Sequence, residues 1–454
     1  MKQFFAKNLL IFFCSIVLHQ VQGQEPAKQA VAAAHPNWSL QSNIYEVNIR
    51  QYTQEGTFNA FAAHIDRLKE MGVHTLWFMP INPISKVDRK GSLGSYYAVS
   101  DYTAVNPEFG TMQDFQRLVQ QIHGKGMKVL IDWVPNHTGA DHRWLTEQPG
   151  FFVKDSSGKA AMAKDWSDTR QLDYANPVMR DSMIAAMKYW IQRADIDGFR
   201  CDVAWNVPGD FWKDCISQLR KEKPVFMLAE GEDGYLPENG FDAVYPWRAF
   251  HVLVDIAAGK KNALALDTVQ RLMDSIYPAN TMLLHFTSNH DENSWNKADY
   301  ATMPGASHQP FAVLTQTLPG SIPLVYSGQE EPVLKPIAFF EKDPIEFGQY
   351  KRAPLYNKLL HLRSGNQALA AQVPMQKIRT GNDEAIYAFY RKSGNQFVYV
   401  LVNLTGKQQA YNIDHASLRN LSGLSAKEMF SGKKYAAVPS GKGILKPWES
   451  RVYF

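Results

Sequence analysis

The sequence predicts a closed (β/α)8 TIM barrel with a short insertion after its third strand and a C-terminal antiparallel β domain. Three observations lead there. Apolar, β-branched or aromatic runs of strand length alternate with stretches of helical periodicity from residue 44 to about residue 363. Four such runs end in segments carrying acidic residues: Asp132-Trp-Val-Pro-Asn-His137, Gly198-Phe-Arg-Cys-Asp202, Leu228-Ala-Glu230 and Ser288-Asn-His-Asp291. That puts carboxylates at C-terminal strand ends, the face where such barrels keep their sites. After about Val373 the helical pattern gives way to strand-like runs separated by glycine-containing turns. A doubly wound open sheet is the structural alternative.

The elements follow in order. Residues 44–49 form the first strand candidate, and residues 58–71 a helix with Phe61, Ile65 and Leu68 on one face. The second strand, 75–79, stops at Pro80. Thr111 is placed to cap the helix that runs to Lys125, before a third strand at 129–134. Residues 138–173 are too long and too rich in Gly, Ser, Asp and aromatics for an ordinary connection, and read as the insertion. Pro177 suits the first turn of a helix ending near Ala194. Strands four to eight are expected at 196–203, 225–230, 242–245, 282–288 and 322–326. Helices fill 209–221, 250–276 with a break near Gly259, and 354–363. The barrel therefore spans 41–372 and the β domain 373–454, with strands at 385–390, 396–403 and 451–454.

The chain has 454 residues, 45% hydrophobic and 20% charged, with a formal charge of +4, an ordinary globular balance. No basic block points to nucleic acid or a membrane surface. Residues 1–23 read as a secretory signal. Lys2 and Lys7 precede an apolar core at 9–18, and Val21-Gln22-Gly23 offers a cleavage site. The expected location is periplasmic or extracellular, with 24–40 as a tether. Cys14 lacks the small neighbours of a lipid-anchor site, and no later segment is long and apolar enough to span a bilayer. An exported location permits a disulfide between Cys201 and Cys215, but two buried thiols is the reading preferred.

The chemistry lies in the four segments. In a strand, Arg200 and Asp202 point to the same face. A guanidinium there favours the ionised carboxylate that a nucleophile at an anomeric carbon requires. Glu230 closes an apolar strand, where desolvation can hold a carboxyl protonated for delivery to a departing oxygen. Asp291 supplies a third carboxylate suited to an oxocarbenium-like sugar, and His137 and His290 can each bond a sugar.

Together these segments resemble the four conserved regions of the α-amylase family of glycoside hydrolases, family 13. Gly72-Val-His-Thr-Leu-Trp-Phe-Met-Pro80 resembles that family's second strand, and residues 320–330 its eighth. The resemblance implies Asp202 as nucleophile, Glu230 as acid and base, and Asp291 as transition-state stabiliser. It implies Arg200 as the group orienting Asp202, with Tyr97, His137 and His290 holding the ring. The configuration would be retained, with Asp202 and Glu230 roughly 5–5.5 Å apart.

Two positions depart from the family pattern. Lys-His commonly stands three and four residues after the nucleophile; here Trp205 and Asn206 do, and Trp205 becomes a candidate sugar-stacking surface with Trp166 and Trp295. An aspartate of the family's calcium site is Gln171 here, so Asn136 lacks usual companions. No metal or cofactor is therefore predicted. The expected substrate is an α-1,4-linked glucan or malto-oligosaccharide, with no obligate protein partner. A 4-α-glucanotransferase or other transglycosylase or isomerase of the same family is the alternative. A catalytically dead glycan-binding member is disfavoured by the three intact carboxylates. A metal-dependent hydrolase is disfavoured by the lack of His-x-His clusters.

Overall fold

The computed structural model describes residues 35–454. The expected signal segment, and the tether as far as residue 34, lie outside the described residues. Eight parallel strands form one sheet: β1 (Ile44–Val47), β2 (Thr75–Phe78), β3 (Lys128–Trp133), β4 (Gly198–Cys201), β5 (Phe226–Ala229), β6 (Ala243–Val244), β7 (Met282–Leu283) and β8 (Leu324–Tyr326). β8 pairs with β1. The ring closes between β7 and β8, where Leu283 N–H donates to Gly320 O (2.8 Å) and Leu324 N–H to His285 O (2.9 Å). The open-sheet alternative is thereby excluded.

Strand alternation sorts the side chains. Ile44, Trp77, Leu130, Leu228, Met282 and Leu324 belong to a cluster that fills the barrel. Phe199, Cys201, Met227 and Ala229 belong to the larger core that includes the surrounding helices. Gly198 has a steric reason to be glycine: a Cβ there would meet Phe226 O at 2.0 Å. Thr111 caps the helix Met112–Gly124 as expected, in a reciprocal box with Asp114. Pro177 opens the helix Pro177–Ala194, whose first N–H groups bond to the Asn176 side chain.

Several elements differ from expectation. The helix foreseen at 58–71 is two, Phe58–Ala62 and Ile65–Met71, because the first ends in 3₁₀-type bonds, Ala63 N–H to Ala60 O (3.4 Å) and His64 N–H to Phe61 O (2.9 Å). The strand foreseen at 282–288 is regular only over Met282–Leu283, with single ladder bonds continuing at Leu284 and His285. His285 N–H turns back to Leu283 O (2.9 Å), a three-residue turn that takes the chain off the sheet. The last residues of the foreseen tether are docked. His35 Nδ1 bonds Asp242 Oδ1 (2.7 Å), and the Trp38 ring packs 5.7 Å from that of Phe226. Cys201 and Cys215 are both free and buried. Among the described residues, no helix is long and apolar enough to cross a membrane.

Within the insertion, His137–Gly139 pairs antiparallel with Thr169–Gln171. The C-terminal region holds a four-stranded antiparallel sheet of Met375–Ile378, Ile386–Ser393, Gln396–Asn403 and Ser450–Tyr453 in that order. Arg391, buried in its second strand, donates to the carbonyls of Thr317, Leu318, Ala370 and Val373. It ties the sheet to the segment entering β8 without a carboxylate partner, and burial pushes its guanidinium down to about 9. Arg391→Met keeps much of the volume but strands four buried carbonyls. It is expected to cost roughly 3 kcal/mol or more of stability, read as a lowered Tm.

Candidate active site

The site is built on strand ends. The β4 ladder runs one residue further, with Asp202 N–H donating to Trp133 O (2.8 Å), and the β5 ladder likewise, with Glu230 N–H donating to Cys201 O (2.9 Å). Both carboxylates therefore rise from the same rim. The chain then turns sharply at Val203, whose φ of 44° is a costly conformation for a β-branched residue. That turn aims the Val203 N–H at Glu230 Oε2 (2.7 Å). Asp291 arrives by a different device. Asn289 caps the short helix His290–Trp295, its Oδ1 accepting from Glu292 N–H (2.8 Å), and Asp291 sits in the first turn.

Asp202, Glu230, Asp291, Tyr97, His137 and His290 line one cavity of about 380 Å³. Arg200 lies beneath it, fully buried, with ion pairs to Asp132 (2.9 Å), Asp202 (3.0 Å) and Glu230 (3.1 Å). Trp205 is the exception among the sequence candidates. It stands outside the cavity wall, 41% exposed, against Gly231. Trp166 and Trp295 are in the wall, joined by Phe339 and Phe340 from beyond β8.

The electrostatics depart from the sequence expectation. Burial pushes the Asp202 carboxyl well up, the negative charge of Glu230 adds to it, and Arg200 opposes both. One guanidinium divided among three carboxylates does not by itself keep Asp202 ionised. Burial also raises Asp132 to about 6 against the pull of Arg200. His137 is lowered to about 3 by burial and stays neutral. His290 goes the other way: burial would lower it, but Asp291 and Glu46 hold it well above its ordinary value.

Glu46 and Asp132 were not assigned roles from sequence. Glu46 faces the barrel interior from β1, fully buried, and bonds His290 Nδ1. On its other nitrogen His290 meets Tyr97 Oη (2.9 Å) and Asp291 Oδ2 (3.2 Å). Asp132 Oδ2 accepts from Tyr97 Oη–H (3.1 Å) and from Trp77 Nε1–H (3.2 Å). A lone acid inside the apolar run Ile44-Tyr-Glu-Val47 was the available signal for Glu46. Lys90 and Asp168, ion-paired at 3.2 Å in the cavity wall, come from loops with no such signal.

The residues do not fit a calcium ion at the position the resemblance implies. Asn136 Oδ1 accepts from Asn206 Nδ2–H (2.8 Å) and Gln171 Nε2–H (3.1 Å), and Asn136 O accepts from Gln171 Nε2–H (2.9 Å). Amide N–H donors occupy the oxygen lone pairs that a hard cation would need, and these contacts are made by neutral amides. Among the described residues, no cluster of three or more His, Cys, Asp or Glu is arranged for a metal.

A rim of carboxylates around a buried arginine, at the C-terminal ends of barrel strands, is a glycoside hydrolase's constellation. The comparisons agree with it. Residues 37–171 and 161–383 match the family model described as alpha amylase, catalytic domain. The chain belongs to the α-amylase family of glycoside hydrolases, family 13, and is a glycoside hydrolase. Its structure resembles that of a noncanonic maltogenic α-amylase, AmyB, from Thermotoga neapolitana (TM-score 0.83, 28% identity, 92% of this chain and 99% of that one). It also resembles an α-amylase from Lactobacillus plantarum (TM-score 0.81, 29% identity, 92% and 99%). In sequence it is 23% identical over 441 residues to α-amylase MalA of Haloarcula japonica, covering 90% of this chain but only 61% of that relative's length.

Two outcomes follow from this geometry. Glu46→Gln removes a negative charge from His290, leaving Asp291 as its carboxylate partner and Tyr97 as its neutral one. The folded-state pKa of His290 should fall, and the alkaline limb of kcat/KM should move to lower pH. Exhaustive chelation should leave activity intact, whereas Gln171→Asp should acquire a Tm that rises with added calcium.

Proposed function

We propose that this protein is an exported, retaining hydrolase of α-1,4-linked glucans, acting on soluble malto-oligosaccharides or loose chains. The observation that carries the reading is the opening of Asp202, Glu230 and Asp291 into one cavity. Asp202 attacks the anomeric carbon while Glu230 protonates the departing glycosidic oxygen, leaving a glycosyl ester on Asp202. Glu230 then takes a proton from water, the water oxygen bonds to the same carbon, and Asp202 leaves. Two inversions restore the α configuration.

The other residues prepare those steps. Arg200 Nη1 orients Asp202 and favours its charge once sugar is present. Burial and the charge of Glu230 push the Asp202 carboxyl up, and Glu230 is the carboxyl placed to deliver a proton to a bound glycosidic oxygen. Asp291, His290 and neutral His137 offer bonds to hydroxyls, and Tyr97 offers a ring face. The relatives, α-amylases and a maltogenic α-amylase, support an α-glucan substrate. Export is supported by the character of residues 1–23.

Maltoheptaose is the test substrate. Hydrolysis should give only shorter chains, released as α anomers when followed by proton NMR. Products longer than the substrate would point instead to a transglycosylase. Asp202→Asn should lower kcat by roughly 10³-fold or more, as expected for loss of a covalent nucleophile. The acid limb of wild-type kcat/KM should lie above the ordinary aspartate value of about 4. The sign for stability is opposite to that for activity. A carboxyl raised on folding contributes stability below its unfolded pKa and loses it as pH rises through the folded one. Asp202→Asn should therefore have the higher Tm at neutral pH.

A further inference from the structure

The ring of strands places β1 across from β5, which carries Glu230 at its end. In the proposed reaction the departing part of the glucan lies toward Glu230. The part that stays, running to the non-reducing end, therefore points toward β1 and its neighbours. That side is walled. Arg50, buried just past β1, donates to Leu93 O (3.1 Å) and Gly94 O (3.0 Å) in the loop after β2, and to Phe339 O (3.3 Å) after β8. The two stretches also bond each other, Leu93 N–H to Phe340 O (3.0 Å) and Ser92 N–H to Glu341 Oε1 (2.8 Å). Gly91, at a φ of 62°, has to be small, because a Cβ there would meet Phe340 Cβ at 2.5 Å. The start of the same loop is tied to the insertion, with Asp88 paired to Arg170 (2.8 Å) and Lys86 N–H donating to Asp141 Oδ2 (2.8 Å).

Between these attachments stands Lys90. Its ammonium pairs with Asp168 of the insertion at 3.2 Å, and both residues line the cavity. The Asp168 side chain is 3% exposed, and among the described residues Lys90 is its only ion-pair partner. Burying a carboxylate beside one part-exposed ammonium adds little to stability. A hydroxyl set against the pair would use both charges, donating its proton to Asp168 and accepting from Lys90.

We propose that Lys90 and Asp168 cap the cavity and read the end of the glucan. They bind the 4-hydroxyl of the terminal, non-reducing glucosyl unit, so the protein cuts from chain ends and not within chains. A chain that continued past this point would present an ether oxygen, which has no proton for Asp168, and a further ring where the loop stands. The inference deepens the proposed glucan hydrolysis and rests on Glu230 being the acid.

The test compares three substrates that differ only at the non-reducing end: maltoheptaose, its analogue deoxygenated at the terminal C4, and its analogue carrying a 4,6-O-ethylidene block. The readout is kcat/KM for substrate consumption, followed by chromatography. The wild type should lose about tenfold or more on the deoxy end, as for a hydroxyl bonded to charged groups. It should lose about 100-fold or more on the blocked end, which lacks the proton and adds bulk. The double variant Lys90→Met, Asp168→Leu leaves neither charge buried alone. In it the penalty for the deoxy end should shrink to about twofold or less. Equal wild-type rates on all three substrates overturn the assignment while leaving the hydrolase reading in place. A deoxy penalty that persists in the double variant overturns it too, since some other group would then read the end. Wild-type protein inactive on maltoheptaose itself strikes the hydrolase reading instead.

Discussion

One buried cation holds the site together. Arg200 is fully enclosed, its guanidinium shared by Asp132, Asp202 and Glu230 and faced by the rings of Trp77, Tyr97 and Tyr245. Removing it would leave three carboxylates in a poorly hydrated pocket without compensation, which is far costlier than losing a surface ion pair. Its single charge is also too little for its neighbours. Asp132 and Asp202 are both pushed up, and the pocket keeps a standing demand for positive charge. A sugar that turns cationic as its glycosidic bond breaks meets that demand. Folding and the proposed chemistry therefore draw on the same imbalance.

His290 carries a second, smaller imbalance. Glu46 and Asp291 flank it and keep it charged, while Tyr97 links it to Asp132. Asp291 is in turn held low, because His290 outweighs its burial. The proposed nucleophile and the proposed stabiliser thus sit in opposite electrostatic environments within one cavity. One is reluctant to ionise and the other is held ionised, as their different tasks require.

Much of this was legible in the sequence because it follows from short-range rules. Period-two alternation alone puts Arg200 and Asp202 on one face. Gly198 and Pro80 punctuate strands, and Thr111 and Pro177 mark helix starts. What escaped depends on distance through space. The proton preference of Asp202 is set by burial and by Glu230, 28 positions later in the sequence. Trp205 follows Asp202 closely in sequence, yet the turn at Val203 sends it to the outer rim. Phe339 and Phe340 reach the cavity wall from a stretch after β8 with no periodicity to mark them. The docking of residues 35–40 was hidden by neighbours without periodicity, although Trp38 was a visible anchor. At Asn136 the sequence showed only that ligands were missing. The structure adds that Gln171 and Asn206 bond to that residue, so directional bonds between neutral groups hold the base of the insertion.

The grip of Arg391 on the segment entering β8 has a consequence for how such a chain can be divided. The carbonyls it holds, those of Thr317 and Leu318, precede the strand whose bonds shut the ring against Met282–Leu283. The C-terminal sheet is thus a brace on the closing seam and not an appendage. Modular shuffling that transplants the catalytic part without it would carry away a cylinder with its clasp undone.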